Sequence, residues 1–259
     1  MKKILVPSLI ASAIAALSGV AQAQSAPAEP ESTLAFNVGA VSEYRYRGIS
    51  QTRLQPALQG GVDYTDKSGF YVGTWASTIK WIKDAGGSAP VELDLYGGYK
   101  GSAGDVAYDV GFLRYEYSNN KLNPSANTNE IYGAVTYGLF TAKYSHATSN
   151  LFGFADSKNS GYLDLSAALD LGEGYSLTPH LGRQTVSGNG NGKYSYTDYA
   201  LTLGKDLGNG LSASAAGIDA AIDKLAAEGI GTAENWVLKA ADKPPTIDQT
   251  APRVLKRCQ

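Results

Sequence analysis

Val91-Glu92-Leu93-Asp94-Leu95-Tyr96-Gly97-Gly98-Tyr99-Lys100 decides how this chain is read. Val91, Leu93, Leu95 and Tyr99 alternate with Glu92, Asp94, Tyr96 and Lys100. A period of two is the signature of a strand with two unlike faces. One face carries two carboxylates and an amine, so it must be wet or internally paired. The other face is suited to an apolar surrounding.

The same alternation extends in both directions. Before it, Leu58, Val62 and Tyr64 oppose Gln59, Gly61 and Asp63, and Thr65-Asp66-Lys67-Ser68-Gly69 signals a turn. In the next strand Phe70 and Val72 compete with Tyr71 and Trp75 for the apolar face. A first strand is predicted from Leu34. It carries Phe36, Val38, Ala40, Tyr44 and Tyr46 on one side and Asn37, Gly39, Glu43, Arg45 and Arg47 on the other. After it, Val106, Tyr108, Val110 and Phe112 alternate with Ala107, Asp109, Gly111 and Leu113. Six further strands follow, marked by Ile131–Tyr137, Phe140–Tyr144, Leu163–Leu169, Tyr175–Leu181, Tyr199–Leu203 and Leu211–Ala215. Eleven strands are countable up to Ile218.

The connections alternate as regularly as the residues. Short turns fall near 66–69, 101–104, 138–139, 172–174 and 207–210. Longer polar segments fall near 78–90, 118–128, 147–160 and 185–193, and the first connection on that side, near 50–55, reads as short. Short turns on one side and long loops on the other are expected of an outer-membrane barrel, with the short turns periplasmic. A soluble sandwich has no reason to keep this alternation.

The ends bear on compartment. Lys2 and Lys3 precede an apolar stretch, Ile4 to Val20, closed by Ala21-Gln22-Ala23, which reads as a signal peptide over 1–23. Residues 24–33 (QSAPAEPEST) read as a flexible leader. Without Lys2 and Lys3, 20 basic residues face 24 acidic ones, a net charge of −4 with no basic block suited to nucleic acid. Cys258 is the single cysteine, so no internal disulfide can form. No later apolar run is long enough to span a bilayer as a helix, and only helices and closed barrels satisfy their backbone in lipid. The predicted fold is therefore all-β: a transmembrane antiparallel up-and-down barrel over 34–218, of about 12 strands, in the outer membrane of a Gram-negative bacterium.

A twelfth strand is required for an even count. Residues 220–228 (AAIDKLAAE) instead have helix-forming composition, Pro244-Pro245 blocks a central strand, and the chain ends without an aromatic residue. Residues 219–259 are thus an atypical tail. They have the character of an altered reading frame or fused segment, or else of an unusual loop before a poor strand near 235–239.

Several motifs occur in order at compatible spacing. Val41-Ser42-Glu43-Tyr44-Arg45-Tyr46-Arg47-Gly48-Ile49-Ser50-Gln51-Thr52 is the first. Pro56-Ala57-Leu58-Gln59-Gly60-Gly61, Gly69-Phe70-Tyr71-Val72-Gly73-Thr74-Trp75, Glu92–Tyr99 and Tyr196-Thr197-Asp198-Tyr199 follow. Over about residues 34 to 218 the chain resembles the TorF porin family. The resemblance implies an outer-membrane channel surrounded by lipid and inserted by the barrel-assembly machinery. It also implies an aromatic-ended last strand, from which this tail departs.

No enzyme is predicted. His146 and His180 are the only histidines, with no nucleophile–base–orienter set and no cysteine pair for a metal. No cofactor is expected. The candidate site is the set of charged residues on the inward face, Glu43, Arg45, Arg47, Asp63, Glu92, Asp94, Lys100 and Asp109. In a wet lumen such a set governs the passive diffusion of small polar solutes or ions. Pairing of Arg45 and Arg47 with Glu92 and Asp94 would instead fill a narrow barrel, leaving a non-conducting structural or adhesive protein. A secreted soluble β-protein is the remaining alternative.

Overall fold

The computed structural model describes residues 32–222. In chain order the elements are β1 (Ser32–Val41), β2 (Arg45–Tyr46), β3 (Ile49–Ser50), β4 (Ala57–Asp66), β5 (Phe70–Thr78) and the one-turn helix α1 (Trp81–Asp84). They continue with β6 (Val91–Ala103), β7 (Val106–Glu116), β8 (Thr128–Tyr137), β9 (Phe140–Ala147) and β10 (Gly161–Ala167). β11 (Leu169–Gly172), β12 (Tyr175–Thr185), β13 (Tyr196–Gly208) and β14 (Leu211–Ile222) complete them.

One antiparallel sheet of 12 strands holds every strand except β2 and β3, in the order β1-β4-β5-β6-β7-β8-β9-β10-β12-β13-β14, with β11 beside β12. Sequence neighbours are sheet neighbours throughout, the topology of a meander. β10 and β11 both pair with β12 and are two halves of one strand, broken at Ala168, whose N–H donates to the Leu139 carbonyl. The sheet therefore has eleven positions, the number of alternating segments in the sequence.

The tight turns follow their residues. Asn209 and Gly210 both take positive φ (53° and 78°), as a type I′ hairpin requires. Gly138 alone is positive in its turn, the preference of a type II′ connection.

Glycine and tyrosine are abundant for a shared reason. Inward-facing Gly73, Gly98 and Gly111 lie beside Tyr96, Tyr71 and Tyr132 of the adjacent strand, and a β-carbon at any of them would strike the ring. Strands only ~4.8 Å apart cannot otherwise seat a ring laid across its neighbour.

The faces sort by parity. Phe70 and Val72 point out and Tyr71 and Trp75 in, which resolves the ambiguous third strand. Two readings need correction. The first strand does not run on to Tyr46. It ends at Val41, and Tyr44 is 3% exposed whereas Phe36 is 72% exposed. The connection to β4 is accordingly not a short one near 50–55 but covers 42–56, and it turns inward. Residues 220–222 are also not helical, because they continue β14, with Ala220 opposite Asp198 and Ile222 opposite Tyr196. The predicted signal peptide, most of the leader and the rest of the tail lie outside the described residues.

Candidate functional site

Segment 42–56 reaches into the concave side of the sheet. β2 and β3 form a miniature hairpin whose two tip residues, Arg47 and Gly48, both have positive φ (47° and 79°). That is the type I′ geometry, which favours Asn-Gly or Gly-Gly. Arginine there costs about 1–3 kcal/mol of backbone strain, so the tip must be held by its contacts.

Those contacts come from across the sheet. Arg47 donates from Nη1 and Nη2 to the two Glu130 carboxylate oxygens (3.0 and 2.8 Å) and from Nη1 to Gln184 Oε1 (2.8 Å). Its guanidinium also lies 4.8 Å from the Tyr46 ring centre and 4.2 Å from that of Tyr162. Glu130 is on β8, Tyr162 on β10 and Gln184 on β12, so the sheet curls around the hairpin. Tyr44 donates to Glu92 Oε1 (2.7 Å) and Tyr117 to Glu92 Oε2 (2.6 Å). Burial, with Glu92 alongside, pushes the Tyr44 and Tyr117 phenols well above their ordinary value, so both remain donors. The Gln51 carbonyl accepts from the N–H groups of Lys80 and Trp81, tying the segment to the loop that carries α1.

Gly48 fits tightly. A β-carbon there would come within 2.6 Å of Asp198 Cβ and 2.9 Å of Ala220 Cβ. A Gly48→Val variant is expected to unseat the hairpin, with a cost of about 1–3 kcal/mol from the left-handed backbone alone. Limited trypsin digestion of the folded protein is the check: cleavage after Arg45 or Arg47 is expected only in the variant. Continued protection would show that the seat is dispensable.

The predicted site residues divide into groups. Arg45 bonds Glu43 (3.1 Å) and the Gly48 carbonyl (3.2 Å), within the hairpin. Asp63 accepts from Tyr96 (2.6 Å) and Asp109 from Tyr71 (2.6 Å). Lys100 faces Asp109 across the β6–β7 pair, its ammonium 5.8 Å from the Tyr71 ring centre. Glu92 binds tyrosines and not an arginine. Asp94 is buried, opposite Trp75 and Tyr115 on the two adjacent strands. Arg45 and Arg47 thus pair with neither Glu92 nor Asp94, and the partner of Arg47 is Glu130.

Glu130, Lys143, Asp164 and Asp198 join the inward face without having been singled out. Each sits at the opposite parity to its strand's apolar residues, for example Glu130 between Asn129 and Ile131, so the rule that found Glu92 was sufficient to find them. His180 points inward as expected. Its Nε2 lies 2.9 Å from Asp198 and its Nδ1 3.2 Å from Asp164, and Tyr162 completes the set. With a carboxylate at each ring nitrogen, both nitrogens can donate only as the imidazolium. Around the hairpin, inward carboxylates outnumber inward cations, which favours cations in any fluid that reaches them.

A family model described as "Bacterial protein of unknown function (Gcw_chp)" matches residues 24–241. No curated protein and no solved structure matches.

Proposed function

The chain belongs to the Gcw_chp family, and we propose that it is a narrow outer-membrane channel, a closed β-barrel passing small polar solutes or ions with a preference for cations. One observation carries the reading, the inversion of inside and outside. Val38 is 82% exposed while Glu130 is 1% exposed. Phe36, Val72, Val110, Ile131, Leu165 and Leu201 are likewise exposed on strands. A water-soluble sheet hides its apolar face and solvates its charges; a lipid-embedded barrel does the reverse.

Three features add support. Phe70, Tyr99 and Tyr108 pack edge-on and tilted at the short-turn end (5.0 and 6.2 Å between ring centres), where Tyr137, Phe140 and Tyr175 also lie, as an interfacial aromatic girdle would. Gly48, at the tip of the hairpin that follows β1, comes close to Asp198 and Ala220 of the last two strands, which is compatible with closure. The TorF-like motifs point the same way, toward an outer-membrane chain handled by the barrel-assembly machinery.

The test is mobility and conductance together. A band that shifts on boiling in detergent, and single-channel steps in a planar bilayer with a cation-selective reversal potential, are expected. A shifting band without steps removes the channel and leaves a non-conducting barrel, the second reading. That reading is favoured by the Arg47 set, which crosses the interior. A protein absent from the outer-membrane fraction removes both.

A further inference from the structure

Glu43 and Asp94 each keep a buried carboxylate oxygen without a hydrogen-bond partner among the described residues, but the other oxygen of Glu43 accepts from Arg45. Glu92 has both oxygens on tyrosine hydroxyls, and Glu130 has both on Arg47. Asp94 is 7% exposed, and its Oδ1 has no hydrogen-bond partner among the described residues. Glu92 is its same-face neighbour two residues back on β6, so a second carboxylate stands beside it. Buried polar atoms are almost always satisfied, and a buried charge without a counter-charge is costly.

Its surroundings indicate what would satisfy it. Trp75 and Tyr115 are its cross-strand partners, and the hydroxyls of the inward tyrosines nearby are already engaged. The Tyr44 and Tyr117 hydroxyls are committed to Glu92, Tyr96 to Asp63, and Tyr115 to Tyr46 and Glu130. Both cross-strand neighbours of Asp94 are aromatic. A carboxylate among aromatic rings suits a cation that sheds water readily and gains from the ring quadrupoles. Divalent ions need a cage of several oxygens, and no group of three or more acidic, histidine or cysteine residues able to hold a metal occurs among the described residues.

We propose that Asp94 is the binding subsite for a small, weakly hydrated monovalent cation, the potassium or ammonium class, beneath the inward hairpin. It rests on the channel reading only for how the ion arrives.

Thallium(I) nitrate is the probe, because thallium(I) mimics potassium and quenches tryptophan, and Trp75 stands beside the site. Titration of the folded full chain in detergent is expected to give saturable quenching, displaced by potassium and not by magnesium at equal ionic strength. Asp94→Asn should weaken the apparent affinity at least tenfold. Asp94→Glu should retain it, which covers the case in which the asparagine variant does not fold. Glu173→Gln, in an exposed turn, should leave it unchanged. Non-saturable quenching, or equal affinity in Asp94→Asn, would overturn the subsite; a carboxyl that holds a proton instead of a cation gives that result. Saturable binding in a barrel that shows no conductance keeps the subsite and removes the channel, so the two readings fail separately.

Discussion

Arg47→Ala is expected to destabilise the folded protein by about 3–5 kcal/mol and to enlarge single-channel conductance. The stability loss follows from what stays behind. Glu130 would keep a buried charge with one hydroxyl, from Tyr115 at 3.2 Å, in place of the bidentate guanidinium. Removing one partner of a buried ion pair costs that much because the other is left uncompensated. Arg47→Lys should recover little of it, since an ammonium cannot span both Glu130 oxygens and Gln184 while lying against two tyrosine rings. A double variant, Arg47→Met with Glu130→Leu, should be more stable than either single one, because it leaves no orphaned charge. Urea titration of the unboiled gel band measures each of these variants against the parent. The conductance change follows from geometry: the guanidinium joins β8 to β12 across the interior, and alanine removes that bridge. Conductance and selectivity equal to those of the parent would show that Arg47 does not border the ion path.

Val110→Arg is expected to cost about 2–4 kcal/mol when the protein folds into lipid vesicles. Val110 lies midway along β7, pointing outward, and is 51% exposed. The two settings predict opposite results. On a water-facing sheet, an arginine at so open a position would change stability by no more than about 0.5 kcal/mol. At the midplane of a bilayer the same side chain must be desolvated or drag water inward. Asp105→Arg, exposed in the short β6–β7 turn, is the internal control and should be nearly neutral in both. Reversible unfolding from vesicles in urea reads the difference directly, and a neutral Val110→Arg would remove the membrane assignment.

Most strands were legible because alternation is a local property. Glu92 and Leu93 cannot share a face of one strand, whatever surrounds them, so the parity of β4, β6 and β7 follows from composition alone. Turn residues such as Asn209-Gly210 are equally local, since positive φ selects them. The first strand was over-extended for the same reason. Its alternation falters only at Val41-Ser42 and resumes through Tyr44 and Tyr46, and so brief a local break does not tell that the chain leaves the sheet there. What pulls it inward is distant: Glu92, Tyr115, Glu130 and Gln184, the last two 83 and 137 residues from Arg47.

By itself, the sequence determined the all-β class, the eleven sheet positions, the inward and outward faces and the asymmetry of the connections, because each depends on neighbours within a few residues. Only the tertiary structure decided that 42–56 folds inward, that Arg47 is neutralised by Glu130, and that Asp94 has an oxygen without a donor. Charge pairing inside a curled sheet depends on which strands face each other across the interior, and that distance exists only once the sheet has curled.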